Sequence, residues 1–398
     1  MNIKQWLIKL RRSKYIERLL QFIFLVATKL PVRKKTIVFE SFLGKQFSDN
    51  PKALYEYIKK HYPDYTLYWS FDRQYRKNFE GKNLNSLPRF GIKWIFVMAR
   101  ANYWITNSRL PLWLPKSKNT IYVQTWHGTP LKKLGLDMDE VHMPGTDTES
   151  YKSDFKTEAS KWNYLISPNA YSTQIFKRAF DFRKTVIESG YPRNDILYTH
   201  NNEQSILEIK AKLNIPLDKK VILYAPTWRD DDYYRVGQYK FTLQLDLNKL
   251  QNKLGDDYVV LLRMHYLVAE KLELSGHEDF VYDFSTYNDI NELYLVSDLL
   301  ITDYSSVFFD YANLKRPTIF YVYDLDDYRD RLRGFYFDLE AKAPGPLVKT
   351  TDEVISVVKR AEQHDFIPAK KVGLFYDEFC YLDDGQASKR VVEKLFKI

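Results

Sequence analysis

From residue 36 onward, short runs rich in β-branched and aromatic residues alternate with longer runs of helical periodicity. Strand, helix, strand in repetition forces parallel sheets, because parallel neighbours need a crossover and the crossover packs back on the sheet. Strand candidates in the first half are 36–41, 66–71, 103–107, 120–126, 163–167 and 185–189, with helices over 51–61, 90–101 and 171–180. In the second half strands fit 220–225, 258–264, 280–283, 298–302 and 317–322. Helices there fit 204–214, 244–254, 289–297, 305–314, 352–364 and 385–397. A chain of 398 residues has the length for about two domains, and the polar stretch 199–204 is the natural joint. The expected fold is α/β: two Rossmann-like domains facing a cleft, 36–200 and 201–398, preceded by a distinct segment 1–35. Residues 135–157 lack periodicity and are expected to form a long loop.

The chain carries 60 basic and 51 acidic residues. Ten of the bases and one acid, Glu17, fall within residues 1–35, which leaves the remainder neutral. This argues against a nucleic-acid protein with a basic face spread over its fold. Within the segment, Ile3, Trp6, Leu7 and Leu10 follow helical spacing between lysines and arginines. Leu19 to Thr28 is nearly unbroken apolar sequence, too short for a spanning helix, which needs about 20 residues. Two readings are open. One is a basic amphipathic helix lying on the cytoplasmic face of an anionic membrane; the other is a helix docked on the domain with a solvated basic face. Cys380 is the one cysteine, so no internal disulfide or cysteine metal site is available, and a reducing cytoplasmic setting is the natural reading.

In open α/β sheets ligands bind beyond the carboxyl ends of the strands. Two histidines stand there as the candidate catalytic pair, His127 after 120–126 and His265 after 258–264. Gly128 and Pro130 give the first a tight turn, and an imidazole near neutral pH can take a proton from an alcohol. Alternatively His127 only caps a strand. Arg263 and His265 share a strand face and offer donors to phosphate, unless Arg263 sits in a structural ion pair. At 302–306 a strand ends and a serine pair opens a helix, with Ser305 as N-cap, free amides for an anion and Asp310 one turn beyond Ser306. The same residues also read as a capping box without ligand. Arg193, after 185–189, can reach a phosphate; Thr227 and Trp228, after 220–225, add a hydroxyl and an aromatic. Asp230, Asp231 and Asp232 read as a solvated loop in preference to a metal site. Neither Gly-x-Gly-x-x-Gly nor Gly-x-x-x-x-Gly-Lys-[Ser/Thr] occurs, which removes the main argument for a dinucleotide dehydrogenase or P-loop NTPase. Together the strand ends point to a nucleotide-diphosphate site.

Five blocks occur in order: 126–132, 190–195, 224–229, 263–265 and 302–306. They resemble the CDP-glycerol glycerophosphotransferase family, the primases and polymerases of bacterial teichoic acids, over about residues 36–395. The resemblance implies a GT-B-like fold with CDP-glycerol in the cleft and no cofactor. It implies His127 as the base, with His127, Gly128, Thr129, Pro130 and Leu131 as a substrate-binding turn. Arg193, Thr227, Trp228, Arg263, Met264, His265, Ser305, Ser306 and Asp310 fall on its nucleotide-substrate positions. Tyr266 departs from the proline expected after the histidine. The implied reaction moves glycerol phosphate from CDP-glycerol to a polyprenyl-diphosphate-linked saccharide or growing chain, and releases CMP. The alternatives are a CDP-ribitol donor, or a sugar-nucleotide glycosyltransferase on the same architecture. The implied partners are the donor, the lipid-linked acceptor and an anionic membrane, to which the protein is peripheral.

Overall fold

A computed structural model describes residues 14–141, 145–229, 233–235, 238–239, 242–264, 274–361 and 369–397. The first sheet is seven-stranded and ordered β3-β2-β1-β4-β5-β6-β7. Its strands are β1 (Arg33–Glu40), β2 (Thr66–Phe71), β3 (Ser86–Pro88), β4 (Ala101–Thr106), β5 (Ile121–Gln124), β6 (Tyr164–Ser167) and β7 (Thr185–Glu188). All its pairings are parallel. After β8 (Lys220–Ala225) comes a short ribbon of β9 (Tyr233–Arg235) and β10 (Gln238–Tyr239). The second sheet is ordered β12-β11-β8-β13-β14-β15, with β11 (Tyr258–Leu262), β12 (Val281–Asp283), β13 (Leu299–Thr302), β14 (Thr318–Tyr321) and β15 (Leu347–Val348). It too is parallel throughout.

Each sheet reverses its strand order once, between β1 and β4 and between β8 and β13. Those switch points are where an open α/β sheet leaves a crevice beyond its strand ends. The strands read as continuous apolar runs because both faces are covered: all five residues of β11 are buried, as are Val221 to Ala225 of β8. The expected α/β architecture with two parallel-sheet cores is therefore observed.

Two helices were not anticipated by the sequence reading, and a third, anticipated, packs on the other domain. Residues Thr148–Ala159, expected as loop, form a helix whose N-cap Asp147 accepts from the Ser150 amide. A further helix, Ala369–Phe379, packs Phe375 and Phe379 into the second core. The last helix, Ala387–Phe396, crosses back and buries Val391, Val392 and Leu395 in the core of the first sheet. Its Phe396 ring stacks on Tyr65 at 4.3 Å. Burial of aliphatic side chains at about 1.5–3 kcal/mol each makes this return a strong tie between the halves.

The helix Lys14–Ala27 docks on the first domain by one side. Phe24 and Ala27 are buried against the domain, with the Phe24 ring 6.4 Å from Trp94 and 6.2 Å from Trp104. Tyr15, Leu19, Phe22 and Val26 are exposed on the other side. Ile3, Trp6, Leu7 and Leu10 lie outside the described residues. Among the described residues no helix is long and apolar enough to cross a membrane.

Candidate functional site

A cavity of about 190 Å³ lies between the two switch points. From the first sheet it takes Phe42, Ser48 and Asp49 beyond β1 and His127 beyond β5; from the second, Pro226 beyond β8, Arg263 and Met264 beyond β11, and Ser305, Ser306 and Asp310 beyond β13. A neighbouring cavity of about 220 Å³ holds Gly128, Thr129, Pro130, Leu131, Thr227 and Trp228. His127, Pro226, Ser305 and Ser306 line both, so His127 stands at the junction of two chambers.

The chain turns sharply to deliver this histidine. Trp126 has φ 52°, left-handed backbone that a bulky residue rarely adopts. Its ring stacks on His127 at 4.5 Å, while Phe42 meets the imidazole edge-on at 5.9 Å. His127 Nδ1 lies 2.7 Å from the carbonyl oxygen of Asn107. A carbonyl only accepts, so Nδ1 carries the proton and Nε2 holds a lone pair. Burial lowers the imidazole pKa; Asp49 and the Asn107 carbonyl work against that, and Arg193 and Arg109 reinforce it. The ring is thus held toward its neutral form, with Nε2 open to accept a proton.

The two arginines of the cavity differ. Arg193 donates from Nη1 to Asp49 at 2.9 Å and from Nη2 to Asp310 at 2.7 Å. Burial opposes its charge, but Asp310 and Asp49 outweigh that and hold its pKa above the ordinary value. Its terminal nitrogens are committed to carboxylates, so its charge is already neutralised. Arg263 donates from Nη1 to the carbonyls of Phe284 and Ser285, both at 2.7 Å. Among the described residues it has no ion pair, and burial pushes its pKa down to about 10. A buried cation without a counter-charge is costly unless an anion comes to it. His265 and Tyr266 lie outside the described residues, as do Asp230, Asp231 and Asp232.

Ser306, and not Ser305, occupies the N-cap of Val307–Tyr311, and its side chain makes no capping bond. Asp310 lines the cavity with its carboxylate already engaged: it accepts from Arg193 and, at 3.2 Å, from Asn194 Nδ2. Gly128 is required by the approach of the two domains, since a Cβ there would stand 2.7 Å from Ser306 Oγ. Pro130 accepts from the Tyr171 hydroxyl at 2.7 Å, Leu131 is buried, and the Leu131 carbonyl accepts the Tyr336 amide at 2.8 Å. Thr129 is buried beside them. Met264 is buried, and its amide donates to Ser285 Oγ at 3.1 Å. The Thr227 amide donates to Asp303 at 2.8 Å, while its buried Oγ1 has no partner among the described residues. Trp228 is half-buried.

Several site residues escaped the sequence reading. Asp49 and Asn50 open the helix Asp49–His61 after Ser48, a helix-start signal at a strand end that was legible. Asn107, Asn194, Asn291 and Asp383 left no local trace. Asn194 Nδ2 reaches both Asp310 and Asp383, and Asn291 Nδ2 donates to its Oδ1 at 3.3 Å. Asp383 also accepts from the Tyr191 amide at 2.9 Å and Asn313 Nδ2 at 3.1 Å. This buried network joins the turn after β7 to the second domain.

A model of the family described as CDP-Glycerol:Poly(glycerophosphate) glycerophosphotransferase matches residues 22–397. A teichoic acid poly(glycerol phosphate) polymerase of Bacillus subtilis (strain 168) is 59% identical over 97% of this chain and 52% of its own length. A teichoic acid glycerol-phosphate transferase of Staphylococcus aureus (strain NCTC 8325 / PS 47) is 51% identical over 98% of this chain and 100% of its own. The solved wall teichoic acid polymerase TagF, as a histidine-to-asparagine variant soaked with CDPG, matches with TM-score 0.88 at 45% identity. That match covers 100% of this chain and 98% of the solved one. The chain thus spans about half the length of the Bacillus subtilis polymerase and the whole of the Staphylococcus aureus transferase.

Proposed function

The chain belongs to the CDP-Glycerol:Poly(glycerophosphate) glycerophosphotransferase family, which makes it a glycerophosphotransferase, and from that premise we propose how its site works. The donor is CDP-glycerol, and the acceptor is a hydroxyl of a polyprenyl-diphosphate-linked saccharide or of a growing teichoic acid chain. His127 Nε2 takes the proton of that hydroxyl. The oxygen attacks the phosphorus that bears the glycerol, a new P–O bond forms, and the bond to CMP breaks in line. Arg263, His265 and the serine pair Ser305–Ser306 meet the charge on the phosphates. Arg193 holds Asp49 and Asp310 in place from the first domain.

The observation that carries this reading is one cavity with an imidazole whose Nε2 is unprotonated and an arginine that has no ion pair among the described residues. The exposed apolar side of Lys14–Ala27 and the basic residues before it support a peripheral seat on the cytoplasmic face of an anionic membrane, where a lipid-linked acceptor would lie.

The test is His127→Ala with CDP-glycerol and a lipid-linked acceptor. CMP release should fall at least about 100-fold, the usual scale for a general base; near-wild-type release would sink the base assignment. A donor panel of CDP-glycerol, CDP-ribitol and UDP- or GDP-sugars, read by product mass, settles the alditol. Preferred use of CDP-ribitol or of a sugar nucleotide would overturn the donor.

A further inference from the structure

The strand that neighbours β5 ends in residues the reaction above leaves unused. β4 stops at Thr106, and Asn107, Ser108 and Arg109 follow at the ligand edge of the first sheet. Arg109 is half-buried, with its guanidinium 4.5 Å from the ring of Phe155 and 5.3 Å from that of Tyr151. Phe155 in turn lies 6.0 Å from Trp126, and Trp126 stacks on His127. A continuous row of rings therefore links Arg109 to the base.

Among the described residues Arg109 has no ion pair and no hydrogen bond. A purely structural arginine here has an obvious partner, since the same loop buries an acid. That acid, Glu158, accepts instead from the Leu110 amide at 3.0 Å and the Tyr122 hydroxyl at 2.9 Å, and pairs with Lys161 at 3.5 Å. Asn107 adds a second open donor. Its Oδ1 accepts from the Phe42 amide at 2.8 Å and from Ser108 Oγ at 3.1 Å, which fixes the amide's orientation. Its buried Nδ2 is left without a partner among the described residues. A planar cation held on aromatic faces with its N–H edges free is suited to phosphate oxygens.

We infer that the exit of β4 binds the acceptor's phosphodiester next to the reacting hydroxyl, with Arg109 as the cation and Asn107 as a second donor. The inference rests on the proposed acceptor. Donor and acceptor charges then separate by domain. Arg263 serves the donor from the second domain, and Arg109 serves the acceptor from the first. The same positive charge adds, after burial and Arg193, to the lowering of the His127 pKa.

The experiment measures binding of a soluble oligo(glycerol phosphate) to the full chain by calorimetry without donor, and in parallel steady-state transfer with CDP-glycerol. In Arg109→Gln, affinity for the oligomer and its KM should worsen about tenfold, the scale of one charge-assisted hydrogen bond. The KM for CDP-glycerol should stay within twofold. Arg109→Lys keeps the charge and should recover part of the loss, and equal melting temperatures exclude misfolding. An oligomer whose first phosphodiester is replaced by a neutral methylphosphonate should bind wild type and Arg109→Gln alike. Unchanged oligomer affinity in Arg109→Gln, an equal penalty on the neutral oligomer, or a parallel rise in the CDP-glycerol KM overturns the inference. Oligomer binding that depends on Arg109 without any turnover of CDP-glycerol refutes the donor and leaves this inference standing.

Discussion

Two arginines enter one cavity and answer mutation differently. Arg193 sits between Asp49 and Asp310, so Arg193→Met leaves two buried carboxylates facing each other. Stability in urea should fall by about 3–5 kcal/mol, the range for breaking a buried pair. Among the described residues Arg263 has only carbonyl partners, so Arg263→Met should lose no more than about 1–2 kcal/mol. Its main effect should appear as a raised KM for CDP-glycerol. If Arg193→Met unfolds no more easily than Arg263→Met, the division of roles is wrong. The proposed base gives a second expectation. His127 has its pKa held below the ordinary imidazole value of 6.5 by burial. A base works when deprotonated, so kcat/KM should be flat through neutrality and fall on the acid side, with a midpoint below pH 6.5. The sign for stability agrees: the unfolded chain binds the proton more readily, so stability from this group is present above the unfolded pKa and lost as pH falls. A midpoint above 7 would exclude His127 as the group titrating.

At the scale of elements, the turn after β5 and the helix opening after β13 touch through Gly128. Gly128→Ala places a methyl group 2.7 Å from Ser306 Oγ and 3.1 Å from its Cβ, and overpacking of this kind costs about 1–3 kcal/mol. Melting temperature should drop in Gly128→Ala and recover in Gly128→Ala combined with Ser306→Gly; no recovery would place the strain elsewhere. Most elements were legible because parallel strands buried on both faces read as apolar runs closed by turn residues, as at 120–126 and 298–302. The helix Thr148–Ala159 was not, since Phe155, Glu158 and Ala159 are its buried residues and its apolar stripe is thin. Its N-cap, Asp147, was the signal available. The strand-end histidine, arginine and serine turns were found for the same reason the strands were. Asn194 and Asp383 were not, because a contact spanning 189 positions has no local pattern. Nor could sequence say that Arg193 meets carboxylates, which depends on how the two domains close on each other.

For the whole molecule, the cleft and the apolar flank have to be considered together. Tyr15, Leu19, Phe22 and Val26 recur at helical spacing along the exposed side of Lys14–Ala27, and Ile92 and Phe96 are exposed on the helix beside it. Phe24 and Ala27 fix that helix to the first domain, so whatever surface the flank meets is held in register with the domain that carries His127. A monomer in water gains nothing from such a stripe, whereas insertion into a lipid headgroup region would remove it from water and bring basic residues of the N-terminal segment to anionic charge. Phe22→Glu changes a ring on the exposed side and leaves the Phe24 seat intact. Co-sedimentation with vesicles containing phosphatidylglycerol should therefore fall several-fold in Phe22→Glu, and fall for wild type as salt rises. Turnover of CDP-glycerol with a soluble acceptor should stay at the wild-type rate, while turnover with a lipid-linked acceptor in vesicles drops with the lost binding. If Phe22→Glu sediments like wild type, the flank does not insert and the basic residues alone hold the protein at the surface. If soluble and vesicle-bound acceptors lose activity equally, the helix acts by stabilising the first domain, and the membrane seat must be sought on another face.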